Sequence, residues 1–139
     1  MNEPYKYMAD ALYLGHPGID AQHEILFVCY RELMHAVEGH DDGFELTDVI
    51  SVIKSYVVTH FRYEEDAMQS TDYLDRDMHI AEHRRLEKGL LSLSERYENE
   101  TDKNAVAIDM AGFLKEWLSH HIAVVDRLLA QHLNSLNYT

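Results

Sequence analysis

The sequence is poor in cysteine and in basic side chains. Its single cysteine, Cys29, has no partner for an internal disulfide, which excludes a disulfide scaffold and is typical of a reducing compartment. Lys and Arg number 12 against 25 Asp and Glu, and the formal net charge of −13 argues against nucleic acid or an anionic membrane as partner. No run reaches the roughly 18 apolar residues of a membrane span, so we expect no membrane insertion. The N-terminus does not read as a signal peptide, and we expect a complete, cytoplasmic protein.

The chain has the size and composition of one globular domain. It has 139 residues, of which 46% are apolar, and we expect a single domain over residues 1–139. Helical periodicity recurs four times, with short turn-rich segments between the repeats. The expected fold is all-α: an up-down-up-down four-helix bundle at residues 19–133, preceded by an N-terminal arm at residues 1–18.

The apolar spacing also predicts where each helix lies. Asp20 is the expected cap of the first helix, which should end before a break at residues 39–43. Its apolar stripe comprises Ile25, Leu26, Cys29, Leu33 and Val37. The later helices are expected at about residues 47–68, 75–97 and 105–133. In the third, Met78, Leu86, Leu90 and Leu93 have compatible spacing. We expect the fourth to bend near its two adjacent histidines.

The ten histidines include several at helical spacing from another potential metal ligand. His60 and Glu64 are four apart in HFRYEEDAM, and His79 and His83 are four apart in HIAEH, so each pair shares one helix face. In HIAVVD, Asp126 follows His121 by five residues, which turns it about 140° away on an α-helix. His23 lies on the inward side of the first helix with Leu26 and Phe27.

Each of these signals has an ordinary structural explanation when it stands alone. A lone inward histidine is usually a core imidazole bonded to a carbonyl, and His79 with His83 could form a solvated helix face. Glu64 could belong to an acidic outer face with Glu65 and Asp66. Together, however, five inward histidines and two inward carboxylates would be very costly in a bundle core without a cation.

The ligand types narrow the choice of metal. Imidazole and carboxylate without thiolate suit iron, manganese or zinc, and seven ligands are too many for one tetrahedral zinc ion. Two octahedral ions need twelve positions. The histidines supply five, two bridging carboxylates supply four and one shared oxygen supplies two. One position stays open, where a small molecule can bind.

These motifs, in this order, resemble the hemerythrin family, specifically its single-domain bacterial members. The resemblance runs from YLGHPGIDAQH through HFRYEEDAM and HIAEH to WLSHHIAVVD. It implies two iron ions bridged by Glu64, Asp126 and an oxo or hydroxo oxygen. It assigns His79, His83 and His121 to one iron, and His23 and His60 to the other, which binds oxygen.

The resemblance also implies an apolar wall around the oxygen pocket. The residues concerned are Leu26, Trp117, Leu118 and Ile122, each of which also fits an ordinary core position. Packing at these positions would exclude water and slow the loss of the oxygen-binding state. Gln22 is a candidate to orient a ligand through a hydrogen bond.

The leading hypothesis is reversible dioxygen binding for carriage, storage or delivery, without enzymatic activity. A di-iron oxidase of the ferritin-like class would need two Glu-x-x-His motifs, and only Glu32 with His35 has that spacing. Sensing would need a separate partner, because we expect no appended signalling domain in this chain. A metal-free helical interaction module is the remaining alternative.

The partners and the other histidines are less constrained. We expect dioxygen as the ligand and a monomeric protein, and the sequence does not identify an oxygen-consuming or signalling partner. It assigns no role to five of the histidines, which are His16, His35, His40, His120 and His132.

Overall fold

The fold is built from helices that match the predicted ones closely. The computed structural model describes residues 12–38 and 46–138, and within them all regular structure is helical. The helices are α1 (Pro17–Val37), α2 (Leu46–Ser70), α3 (Arg76–Asn99), α4 (Lys103–His120) and α5 (Arg127–Ser135). A π-helical segment, His121–Asp126, joins α4 to α5, so these three form one continuous fourth helix.

The helices pack in the order expected of the bundle. α1 contacts α2 and α4, and α3 contacts the same two helices, so each helix packs against its neighbours along the chain. The predicted all-α four-helix bundle is therefore confirmed. None of the described helices combines the length and the apolar character that crossing a membrane requires.

The core is divided into two apolar clusters. The larger contains Leu26, Phe61 and Leu118, and the smaller contains Ile19 and Leu129. On α1, His23 lies between a residue of the smaller cluster and one of the larger cluster. Glu64 lies between the two clusters in the same way on α2, and Asp126 does on the fourth helix. A layer of polar side chains therefore crosses the bundle between the two apolar clusters.

The start of α1 differs from the prediction, and Asp20 is not its cap. His16 occupies the N-cap position: its Nδ1 atom accepts a hydrogen bond from the backbone N–H of Ile19 at 3.1 Å. Pro17 follows at the first helical position, where a missing N–H costs nothing. Asp20 instead accepts hydrogen bonds from the N–H groups of Leu14 at 2.8 Å and Gly15 at 3.0 Å. Helix α1 thus includes two residues assigned to the arm.

Two residues predicted in apolar stripes are exposed. Ile25 is 43% exposed and Met78 is 60% exposed, because each lies one position before the residue that actually faces inward. Those inward residues are Leu26 and His79, which are buried. The predicted break at residues 39–43 lies outside the described residues, as do residues 1–11 of the predicted arm.

Candidate metal centre

The seven residues singled out from the sequence come together in the polar layer. They are His23, His60, Glu64, His79, His83, His121 and Asp126, and each is at most 1% exposed. Every helix of the bundle contributes at least one of them. Since a buried charge is costly without compensation, this layer needs a partner that neutralises its carboxylates.

The two carboxylates face two different groups of histidines. Glu64 and Asp126 belong with His79, His83 and His121 in one cluster of ligand atoms, and the same two carboxylates belong with His23 and His60 in another. We call these the three-histidine group and the two-histidine group.

The oxygens of each carboxylate are divided between these groups. Oε1 of Glu64 lies 3.0 Å from Nε2 of His83, whereas Oε2 of Glu64 lies 3.6 Å from Nε2 of His60. Oδ1 of Asp126 lies 3.1 Å from Nε2 of His121, whereas its Oδ2 lies 2.8 Å from Nε2 of His23. A carboxylate that presents one oxygen to each group has the arrangement needed to bridge two cations.

The π-helical segment explains how His121 and Asp126 reach the same centre. On an α-helix, residues five apart diverge by about 140°. The segment His121–Asp126 is π-helical, with i→i+5 hydrogen bonds, so more residues fit into one turn and positions five apart nearly align. This wider turn lies at the place where we expected the fourth helix to bend.

Several polar atoms at the centre have no hydrogen-bond partner, which fits a metal site. Among the described residues, Nε2 of His79, Nε2 of His121, Oε2 of Glu64 and Oδ1 of Asp126 are buried and without such a bond. Nε2 of His79 is only 3.0 Å from Oδ1 of Asp126, but the two do not form a hydrogen bond. Buried polar atoms are nearly always satisfied, so atoms that converge in this way indicate a shared cation.

Burial and neighbouring charges shift the pKa values of the groups at the centre. Burial, and then the negative charge of Asp126, raise the pKa of Glu64 well above its usual value. For Asp126, burial acts in the same direction, but His121 and other imidazoles outweigh it and hold the pKa well below the usual value. Burial, followed by the charge of His79, lowers the pKa of His83 to about 2. Neutral imidazoles are the form that binds metal.

Two histidines of the polar layer have hydrogen-bond partners on the side away from the centre. Nδ1 of His60 lies 2.7 Å from Oε1 of Gln22, as the proposed orienting role of Gln22 requires. Nδ1 of His83 lies 2.8 Å from Oε2 of Glu65. We assigned Glu65 only to an acidic outer face. No sequence spacing could reveal this contact, because it joins α2 to α3.

One family model covers most of the chain. The Hemerythrin HHE cation binding domain matches residues 15–133. The chain belongs to the hemerythrin family. The match spans α1 to α4 and most of α5, and it includes every residue of both histidine groups.

Curated relatives support this membership along nearly the same length. A bacteriohemerythrin of Methylococcus capsulatus is 31% identical over 117 residues, which cover 84% of this chain and 86% of that protein. A bacteriohemerythrin of Clostridium acetobutylicum is 28% identical over 121 residues, covering 85% of this chain and 93% of the relative. A bacteriohemerythrin of Pseudomonas aeruginosa is 26% identical over 113 residues, which cover 81% of this chain and 71% of that protein.

The hemerythrin domain also contains the four residues predicted to line an oxygen pocket. Leu26, Trp117, Leu118 and Ile122 are all buried, and all belong to the larger apolar cluster. Phe61, another residue of that cluster, stacks on the His83 ring with centroids 3.9 Å apart. It also packs edge-on against Trp117, with centroids 5.4 Å apart. Phe61 therefore adjoins the three-histidine group directly, and Trp117 packs behind it.

The histidines without a predicted role lie outside both groups wherever the structure describes them. His120 is exposed although its neighbour His121 is buried. His132 forms a hydrogen bond with the Thr71 hydroxyl at 3.0 Å, and His35 lies in the last turn of α1. His16 is buried as the cap of α1, and His40 falls outside the described residues.

Proposed function

We propose that this hemerythrin binds dioxygen reversibly at a centre of two iron ions held by the seven buried residues. His79, His83 and His121 would bind one iron, His23 and His60 the other, and Glu64 and Asp126 would bridge them. The observation that carries the proposal is the division of both carboxylates' oxygens between the two groups. When bound, the iron ions would supply the electrons with which dioxygen is held.

The unequal number of histidines supports a vacancy at one ion. The three-histidine group offers three nitrogens and two carboxylate oxygens, and the two-histidine group offers two nitrogens and two oxygens. A further oxygen shared by both ions would complete six positions on the first side and five on the second. The open position at the two-histidine side is the proposed place for dioxygen.

The surrounding residues would protect this state. The carboxylates would offset the charge of the cations in a region that is buried from solvent. Leu26, Trp117, Leu118 and Ile122 form part of a packed cluster, and we propose that they keep water from the centre. Exclusion of water slows the side reactions that would end reversible binding.

A spectroscopic cycle tests the proposal. The iron-loaded protein is reduced without oxygen, exposed to air and then placed under vacuum, while its iron content and visible spectrum are measured. We expect two irons per chain and an oxygen-dependent band that disappears when oxygen is withdrawn. A band that forms once and never reverses would instead support an oxidase, and a protein without iron would support a helical interaction module.

Neighbouring histidines provide the matched control for this cycle. His121→Ala removes a buried residue of the three-histidine group, whereas His120→Ala changes an exposed residue beside it. We expect the first variant to lose iron and the reversible band, and the second to retain both. Equal behaviour of the two variants would contradict the assignment of His121.

We further propose that the protein is a cytoplasmic monomer that stores or delivers oxygen and is not an enzyme. The buried free thiol of Cys29 is compatible with a reducing compartment. Light scattering on the iron-loaded protein tests the monomer, for which one mass near 16.2 kDa is expected. Turnover of a reductant by oxygen in excess of the iron present would contradict the non-enzymatic role.

A further inference from the structure

The two histidine groups have outer partners of different charge. On the three-histidine side, Glu65 lies 2.8 Å from Nδ1 of His83, and Oε1 of Glu82 lies 3.9 Å from Nδ1 of His121. On the two-histidine side, the partner of His60 is Gln22, whose amide carries no charge. Among the described residues, Nδ1 of His23 has no hydrogen-bond partner, and the same is true of Nδ1 of His79 and of His121, so His83 is the one histidine of its group with a hydrogen-bonded carboxylate at Nδ1. Among the described residues, a carboxylate therefore lies near Nδ1 only at His83 and His121, both in the three-histidine group.

Glu65 is held between the centre and the surface. One of its oxygens faces the His83 ring, and the other accepts a hydrogen bond from the Arg84 guanidinium. Arg84 also forms an ion pair with Glu87. The Glu65 side chain is only 16% exposed. Both oxygens are thus occupied, and the contact with Arg84 limits the rotation of the carboxylate.

The chemistry of such a contact is different for a carboxylate and for an amide. A carboxylate that accepts the Nδ1–H of a metal-bound histidine fixes the ring, directs Nε2 toward the metal and makes the imidazole a stronger donor. An amide oxygen also fixes the ring but adds no negative charge. A stronger, more negative ligand environment favours the higher oxidation state of the metal.

We propose that Glu65 is a positioning residue that acts through His83 and makes the three-histidine iron the more tightly held and the more easily oxidised of the two. This inference rests on the proposed di-iron centre. Gln22 has the corresponding orienting role at His60 without the electrostatic one. The two sides of the centre therefore differ in their outer partners as well as in their number of histidines.

Release of iron to a chelator tests this inference directly. The reduced, iron-loaded protein is mixed with a ferrous chelator without oxygen, and the release of the two irons is followed in time. We expect two phases, with the slow phase from the three-histidine side. Glu65→Ala should accelerate the slow phase about 10-fold or more, which is the usual effect of removing such a partner. Gln22→Ala should accelerate the fast phase only.

The midpoint potential of the iron centre distinguishes the effect of the Glu65 charge from the effect of simply holding the His83 ring in place. Glu65→Gln retains an oxygen that can accept from His83 but removes the negative charge. It should accelerate release less than Glu65→Ala does, yet it should raise the midpoint potential, because the oxidised centre loses a nearby anion. Asp66→Asn is the matched control: it removes the same charge from the next residue, which is exposed, and should change neither quantity.

Several results would overturn the inference. They are unchanged release and potential in both Glu65 variants, an equal effect of Asp66→Asn, or Gln22→Ala and Glu65→Ala acting on the same phase. Circular dichroism and iron content show whether each variant folds, and Glu65→Gln remains informative if Glu65→Ala does not. The oxygen cycle of the wild-type protein is measured separately. If it succeeds while the Glu65 variants behave as wild type, only this inference fails.

Discussion

Leu118 is a core residue that we propose also keeps water from the metal centre. It is 1% exposed and lies in the cluster with Trp117 and Ile122, three residues before His121. Replacing it with alanine should leave a cavity and cost about 2–5 kcal/mol of the free energy of unfolding. We expect Leu118→Ala to accelerate loss of the oxygen-dependent band, because water gains access to the centre. The decay rate of that band in air is the measurement.

A second leucine separates this effect from lower stability. Leu33 is also fully buried, but it lies ten residues beyond His23 on α1. Leu33→Ala should destabilise the protein by a similar amount and leave the decay rate near that of wild type. If both variants accelerate the decay equally, Leu118 has no particular role in the pocket wall.

At the scale of the element, His16 links the start of α1 to the segment that follows α5. Its Nδ1 caps α1 through Ile19, and its Nε2 donates a hydrogen bond to the Tyr138 carbonyl at 2.8 Å. His16→Ala should lower the free energy of unfolding by about 1–3 kcal/mol, from the lost cap and the lost buried hydrogen bond. His16→Asn should recover part of this loss, because asparagine caps helices well. Urea titration measures both, and equal losses would argue against the cap.

Two glycines within helices should respond differently to the same substitution. A Cβ at Gly112 on α4 would have nothing within 4 Å, so Gly112→Ala should stabilise the protein by about 0.5–1 kcal/mol through helix propensity. A Cβ at Gly89 on α3 would lie 2.8 Å from the Phe113 ring. Gly89→Ala should therefore gain less than Gly112→Ala, or lose stability, as thermal unfolding would show. A larger gain at Gly89 would contradict this packing.

At the scale of the whole molecule, the centre should link metal binding to folding. The seven buried residues that we propose as metal ligands include several atoms without a hydrogen bond, and they lie between the two apolar clusters. Ferrous iron should stabilise the native chain by roughly 2.7 kcal/mol for each site when free metal is 100 times its dissociation constant. We expect the unfolding temperature to rise by several degrees when iron is added without oxygen.

A ligand variant provides the comparison for this effect. His79→Ala should show a smaller rise on addition of iron, because the three-histidine group loses one nitrogen. His132→Ala changes a histidine outside both groups and should respond like wild type. Identical unfolding temperatures with and without iron in the wild-type protein would mean that the centre does not contribute to stability.

The sequence alone was enough to predict the helices and the candidate metal ligands that each helix carries. Spacings of four residues place His60 with Glu64, and His79 with His83, on single helix faces, and this periodicity is a local property of the backbone. The ordered motifs were also sufficient to indicate the family. The prediction that Asp20 caps α1 was wrong, because it relied on the frequency with which aspartate caps helices. The actual cap, His16, is held in part by a hydrogen bond to Tyr138 at the far end of the chain, which local sequence does not reveal.

How the histidine- and carboxylate-bearing faces of the helices meet is visible only in the tertiary structure. The division of carboxylate oxygens between two groups and the contact of Glu65 with His83 both depend on the rotation of one helix against another, which periodicity does not specify. The π-helical turn that aligns Asp126 with His121 is equally hidden, because the spacing by itself predicts divergence. Contacts between helices arise from packing the whole core, and no local pattern contains that information.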